Sequence, residues 1–388
     1  MLKILALLLG LCTAAVSAAS AQQPSDIEPD GTIHLPAFDL PESSFLSKAT
    51  LLGLRRERDV YAKEQEERSA ACPPIELANK AKMSAIRQCL AEKFNKSSLY
   101  RTMQADFPTR MEPKTIAGVY ADVFTPVAGV PVENRKRVLI DVHAGALMWE
   151  SKTFGYLESM PIAAIGKFKV ISIDYRMGPE YTYPAASEDV TAVYRELLKE
   201  YRPENIGIYG SSGGAMLVAQ ALALFQQEKL PSPGAIGMLF AGAPTALDPE
   251  RYKWIESDSA HIAEAIDEAR SPGHGFGNFD RLFGPGHLYY RGLRRGTPLD
   301  SPGSYDEVMS KFPPTLLITG GVRDFALSEV AVTHEKLVRL GVQTDLHVYE
   351  GMGHIFTNDP DLTESREAYA VLVQFFDKHL DRQKRHPD

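Results

Sequence analysis

Residues 206–215 read Ile206-Gly207-Ile208-Tyr209-Gly210-Ser211-Ser212-Gly213-Gly214-Ala215. A strand-like apolar run enters a glycine-flanked turn, and the helical pattern of 215–229 leaves it. A turn this tight holds Ser212 in a strained backbone conformation, while Gly210 and Gly214 remove side chains that would strike the flanking strand and helix. Ser212 is therefore the candidate nucleophile. For these five residues taken alone, an ordinary glycine turn is the competing reading.

Outward from that turn, short apolar runs at 119–124, 138–142, 170–175, 206–209, 235–240, 316–319 and 346–349 are interleaved with helical patterns at 183–199, 215–229, 326–340 and 365–380. Such alternation predicts an α/β fold with a mostly parallel central sheet and helices on both faces. Residues 22–117 read as a helical N-terminal region or cap, rich in Lys, Glu, Arg, Ala and Leu from about Pro41 to Phe107, and 118–388 as the sheet-bearing domain. One stretch breaks the alternation. From Leu247 to Pro314 the chain is polar, rich in Gly and Pro, and carries Tyr252, Trp254, Phe276, Phe279, Phe283, Tyr289 and Tyr290. A segment that long between strands reads as a lid-like insertion over about 247–312, roofing a pocket together with the N-terminal helices.

A serine hydroxyl needs a base, and the base needs an orienting carboxylate. Asp324 ends Gly320-Gly321-Val322-Arg323-Asp324 after one strand, and His354 ends Gly351-Met352-Gly353-His354 after the next. Both lie just past the C-terminal end of a strand, where parallel sheets collect functional groups, and the chain order is Ser, Asp, His. His347 lies within a strand, His334 within a helix, and His34, His379 and His386 near the termini, so they compete less well. The backbone N-H groups of Ala144 and Gly145, in His143-Ala144-Gly145-Ala146 after the strand 138–142, are expected with that of Gly213 to form an oxyanion hole.

Composition narrows the function classes. The 388 residues are 44% hydrophobic and 24% charged, the profile of a globular protein. Fifty acidic against 42 basic side chains leave a net charge of -8, the wrong sign for tracking phosphates, so no nucleic-acid partner is expected. Met1-Leu2-Lys3 and the apolar run Ile4 to Leu11, closed by Ala19-Ser20-Ala21, read as a secretory signal over residues 1–21, with cleavage after Ala18 as the alternative. The mature chain is then expected to be extracytoplasmic, periplasmic or secreted, and to have no membrane span. A lipid-anchored reading of Cys12 is opposed by the bulky Leu11 before it. That compartment permits Cys72 and Cys89 to pair, and two free thiols remain the alternative. No Cys-x-x-Cys or Cys/His cluster suggests a metal site.

From about 118 to 380 the chain resembles the hormone-sensitive-lipase-like group of α/β-hydrolases, the bacterial esterases with an HGGG motif. The most specific segment is Tyr175-Arg176-Met177-Gly178-Pro179-Glu180-Tyr181-Thr182-Tyr183-Pro184-Ala185-Ala186-Ser187-Glu188-Asp189-Val190, similar to the group's YRLAPEHPFPAALEDV. Departures are His143-Ala144-Gly145-Ala146 in place of HGGG, and Ser211 where the group's GDSAGG has its acidic residue. The resemblance implies an α/β-hydrolase fold and a serine carboxylesterase acting on short- to medium-chain or aryl esters through an acyl-enzyme, with a small-molecule ester as partner and neither metal nor organic cofactor. An amidase, lactonase or xenobiotic-ester hydrolase would use the same triad. A ligand-binding protein on a hydrolase scaffold is the reading from another class, and the presence of His354 opposes it. Oligomeric state is left open.

Overall fold

The computed structural model describes residues 26–29, 32–34, 39–73, 80–149, 151–245, 258–270, 288–293 and 296–381. The expected signal at 1–21 lies outside them, as do Tyr252, Trp254, Phe276, Phe279 and Phe283 of the expected lid. The chain divides into two units, Met1–Glu42 and Ser43–Asp388. In the first, β1 (Asp26–Ile27) and β2 (Ile33–His34) pair antiparallel.

In the second unit, α1 (Lys48–Arg56), a π-helical turn (Glu57–Tyr61), α2 (Ala62–Ala70), α3 (Lys80–Phe94) and α4 (Ser98–Asp106) precede the sheet. Ser47 caps α1 by accepting the Thr50 N-H at 3.0 Å, and Ser97 caps α4 through the Tyr100 N-H at 3.1 Å. The sheet has eight strands: β3 (Thr109–Ile116), β4 (Val119–Pro126), β5 (Val138–Val142), β6 (Lys169–Ile173), β7 (Ile206–Ser211), β8 (Ala235–Leu239), β9 (Thr315–Gly320) and β10 (Thr344–Tyr349). Their spatial order is β10-β9-β8-β7-β5-β6-β4-β3. The six strands from β5 onward run parallel, while β4 pairs antiparallel with both β6 and β3.

Side chains alternate across each parallel strand and build two cores, one per face. Val138, Ile140 and Val142 of β5 join Ile206 and Ile208 of β7 and Leu317 of β9 in one core. That face is covered by α6 (Ala185–Leu197), α7 (Gly213–Gln227) and the later helix Leu327–Arg339. Leu139, Tyr209, Leu316 and Ile318 point the other way, against α5 (Ser151–Gly166) and the C-terminal helix Thr363–His379. Phe94, Met103 and Phe107 of the N-terminal helical region belong to this second core, so that region and the sheet share an interior. Thr50 Oγ1 donates to Glu364 at 2.7 Å and the Tyr61 hydroxyl to Asp361 at 2.7 Å, docking α1 and the π-helical turn on the C-terminal helix and the residues leading into it.

Several elements differ from expectation. Strands β1, β2 and β3 fall within residues 22–117, where only helices were expected. Strand β3 lies at the sheet edge with most of its side chains in solvent, so it lacks the apolar run by which a buried strand is recognised. Helix α5 fills the crossover between β5 and β6. It is buried on nearly every side and contains Pro161, so it shows no amphipathic period. Cys72 and Cys89 are joined as a disulfide across a sequence separation of 17 residues.

Candidate active site

At the end of β7 the chain folds back into α7 through Ser212, whose φ of 52° lies in the left-handed region. Only glycine fits two positions before it and two positions after it. A Cβ on Gly210 would stand 2.5 Å from the carbonyl carbon of Gly214, and one on Gly214 would stand 1.8 Å from the Val142 carbonyl oxygen. The turn thus lies directly against the end of β5, and its serine heads the N-terminus of a 15-residue helix.

Ser212 Oγ lies 2.9 Å from His354 Nε2, and His354 Nδ1 lies 2.9 Å from Asp324 Oδ1. Residues 142 positions apart are brought together because β7, β8, β9 and β10 end on the same side of the sheet. A parallel bridge between Arg323 and Gly353 fastens the loops after β9 and β10 to each other. The Asp324 carboxylate is fully buried and every acceptor position is used. Oδ2 takes the Thr319 hydroxyl at 2.8 Å and the Gly320 N-H at 2.9 Å, and Oδ1 takes the Ala326 N-H at 3.0 Å. Burial alone would push the Asp324 carboxyl up. His354 and these backbone donors outweigh that and hold it below the usual carboxylate range, so it is charged. The imidazole of His354 stands between Phe325, at a ring separation of 4.0 Å, and Phe240, at 5.8 Å.

The loop after β5 faces the serine turn. A Cβ on Gly213 would come within 3.3 Å of Ala146 N and 3.2 Å of Leu147 N. Gly145 adopts φ 112° and could not carry a side chain, since a Cβ there would lie 2.2 Å from the Trp149 carbonyl oxygen. Ala146 and Leu147 follow with φ of 49° and 58°. This reversal corrects one sequence expectation. The Ala144 N-H donates to Glu158 Oε1 at 3.2 Å, on the interior side, so it is not aimed where an oxyanion would form. Of the three expected donors, Gly213 lies against the loop at Ala146 and Leu147, Gly145 forms the reversal just before them, and the Ala144 N-H is turned to Glu158.

The loop is braced by residues that the sequence reading gave no site role. The Tyr175 hydroxyl donates to the His143 carbonyl at 2.9 Å, and its ring stacks on the His143 imidazole at 4.3 Å. Burial pushes that imidazole down to about 4, which keeps it neutral. The Gly178 N-H donates to the Leu147 carbonyl at 2.9 Å, and Arg176 holds Asp189 through Nε at 2.9 Å, tying the end of β6 to α6. The Tyr175–Val190 segment is thus a brace for the loop. From α3, Arg87 donates to the carbonyls of Met148 at 2.9 Å and Gly178 at 3.2 Å and pairs with Glu180. In the expected lid, Tyr289 and Tyr290 are core residues: the Tyr289 hydroxyl accepts the Ala186 N-H at 2.7 Å, and the Tyr290 hydroxyl accepts from Gln220 at 3.2 Å.

Among the described residues, no group of three or more His, Cys, Asp or Glu side chains is gathered as a metal would require, and no helix is long and apolar enough to cross a membrane.

A sequence profile describing the alpha/beta hydrolase fold matches residues 139–358. An esterase of Acinetobacter venetianus is 25% identical over 269 residues, 69% of this chain and 81% of that protein. The carboxylesterase/phospholipase LipF of Mycobacterium tuberculosis is 26% identical over 242 residues; the match covers 62% of this chain and 61% of LipF, less than two thirds of its length. A crystallised esterase superposes with a TM-score of 0.71 at 30% identity, over 90% of this chain and 99% of its own.

Proposed function

The chain belongs to the α/β-hydrolase family, and from that premise we propose that it is a serine carboxylesterase acting on short- to medium-chain or aryl esters. The observation that carries this reading is the unbroken relay Ser212 Oγ, His354 Nε2, His354 Nδ1, Asp324 Oδ1, with 2.9 Å at each hydrogen bond. The similarity to proteins named esterase supports it.

In this mechanism Ser212 Oγ attacks the ester carbonyl while His354 Nε2 takes its proton. The charged Asp324 keeps the Nδ1 proton of His354 directed at itself, which leaves Nε2 free to accept. Negative charge collects on the former carbonyl oxygen, and this reading assigns its stabilisation to backbone N-H groups of the loop after β5, Gly145 among them, together with that of Gly213. His354 returns the proton to the leaving alcohol, and the acyl group remains on Ser212. Water, deprotonated by the same imidazole, then releases the acid and restores the serine. In this reading the leader at 1–21 delivers the enzyme outside the cytoplasm.

The test is hydrolysis of p-nitrophenyl esters from acetate to palmitate by the mature protein and by Ser212→Ala. Turnover is expected to be highest on the short chains and to fall roughly a millionfold on substitution. Activity that survives in Ser212→Ala would assign the wrong nucleophile. A folded wild-type protein inactive on every chain length would overturn the ester reading and leave amides, lactones or ligand binding.

A further inference from the structure

Beneath the oxyanion loop, on the side away from the substrate, three polar side chains meet in the interior. Asp141 comes from β5, Glu158 from α5, and Ser211 is the last residue of β7, next to the nucleophile. All three are buried, with 0%, 7% and 2% of their surface exposed. Asp141 Oδ2 accepts the hydroxyls of Ser159 at 2.9 Å and Ser172 at 2.8 Å, and Glu158 Oε1 accepts the Ala144 N-H at 3.2 Å. Asp141 Oδ1, Glu158 Oε2 and Ser211 Oγ are then left without an ordinary partner. The groups that bear them adjoin one another, Asp141 with Glu158 and Glu158 with Ser211.

Two carboxyl groups in contact and out of water cannot both carry charge. Burial, and for Glu158 the neighbouring Asp141 as well, push both above the usual carboxylate range. A proton retained between them gives one orphaned oxygen a donor and the other an acceptor, and removes most of the cost of burying them. So satisfied, Glu158 is a rigid neutral link with one end on the oxyanion loop and the other beside Ser212. The chain carries this carboxyl on α5 and has a serine at 211, the position where the sequences it resembles carry the acid.

Resting on the esterase reading of the same site, we propose that Glu158 is a positioning residue: it joins the Ala144 N-H to the Ser211 side chain and so sets the distance between the oxyanion donors and Ser212 Oγ. It touches neither substrate nor reacting atoms. Its effect falls on the transition state, because the oxyanion exists only there.

The experiment measures kcat and KM on a p-nitrophenyl ester, and the affinity for an aliphatic trifluoromethyl ketone that forms an oxyanion on Ser212, in wild type, Glu158→Gln, Glu158→Ala and Ser211→Ala. Glu158→Gln keeps the acceptor for Ala144 and is neutral, and is expected to hold kcat within about threefold. Glu158→Ala is expected to lose about 10- to 100-fold in kcat with KM within about twofold, and to lose ketone affinity by the same factor. Ser211→Ala, the smaller change should Glu158→Ala not fold, is expected to lose about three- to tenfold in kcat. Wild-type kcat in folded Glu158→Ala or in Ser211→Ala overturns the proposal. So does an equal loss in Glu158→Gln and Glu158→Ala, which would make the charge of the carboxyl the active property. A wild-type protein that turns over no ester fails the esterase reading instead, and is seen before any variant is compared.

Discussion

The two halves of the site are held by different means. On the nucleophile side, the relay from Ser212 to His354 to Asp324 is fixed by motifs local to three strand ends, and its carboxylate is charged and fully hydrogen-bonded. On the oxyanion side, the loop 143–148 is held by Tyr175 and Gly178 from the segment after β6, by Arg87 from α3 and by Glu158 from α5. Its buried acids retain a proton. The contrast teaches that one fold end can place charge by short-range turns and place neutral donors by long-range packing, and that only the first is written locally.

The largest break is expected on the nucleophile side. Asp324→Asn leaves the packing nearly unchanged but offers His354 Nδ1 an N-H in place of an acceptor, so the imidazole takes the wrong tautomer. A loss of about 10⁴ in kcat is expected in stopped or continuous ester assays, and a loss below tenfold would show that the relay does not depend on that carboxylate. The oxyanion side should break less. Gly145→Ala places a methyl group against the Trp149 carbonyl at a backbone angle that L-residues rarely adopt, and is expected to cost about 10² to 10³ in kcat with little change in KM. A KM effect alone would move that loop from oxyanion stabilisation to substrate binding.

The smallest effect sharpens the comparison through its sign. Asp324 is depressed in the folded protein, so its contribution is present above the unfolded carboxylate value and is lost as pH falls through the folded one. Asp141 and Glu158 are raised, so the folded state holds a proton that the unfolded state has released, and stability falls as pH rises from about 4 toward the folded values, about 7 for Asp141. Between pH 5 and 7 the second of these two slopes acts. His143, pushed down to about 4, stays neutral in the folded protein while an unfolded histidine takes up a proton below about 6.5, so it adds a slope of opposite sign that wild type and variant share; Tyr175 and Tyr209, both raised by burial, do not titrate there. Asp359 and Glu329, each pushed by burial up to about 7, contribute with the sign of the pair, so the comparison is with Glu158→Gln. The wild type is expected to lose on the order of 1 kcal/mol more than this variant from pH 5 to pH 7 in urea midpoints. Equal slopes would mean that the pair carries no retained proton.

The same division explains what could be read in advance. Ser212, Asp324 and His354 were legible because each follows an apolar run with a glycine turn, and strand ends of a parallel sheet converge whatever their sequence separation. That the Ala144 N-H turns inward to Glu158 was not legible, because the direction of an N-H depends on the backbone reversal at Gly145 and Ala146, which no residue type announces when alanine stands at positive φ. Glu158 stayed hidden inside α5, a helix without an amphipathic period, and β3 behind an exposed face with Pro113 in it. Arg87 could not be distinguished from any other charge on a polar helix until its partners were placed. Edge strands and fully buried helices both lack the half-buried pattern from which periodicity is read.

Arg87 also bears on how this chain could be shortened. The match to the family profile begins at residue 139, which invites cutting the chain there to obtain a minimal catalyst. Such a cut would delete two sheet strands and the helix whose guanidinium gathers two carbonyls of the oxyanion region, a helix itself stapled by Cys72 and Cys89. The edge of the profile match is therefore not a line of mechanical independence: engineering that trims, fuses or permutes this protein has to carry α3 along.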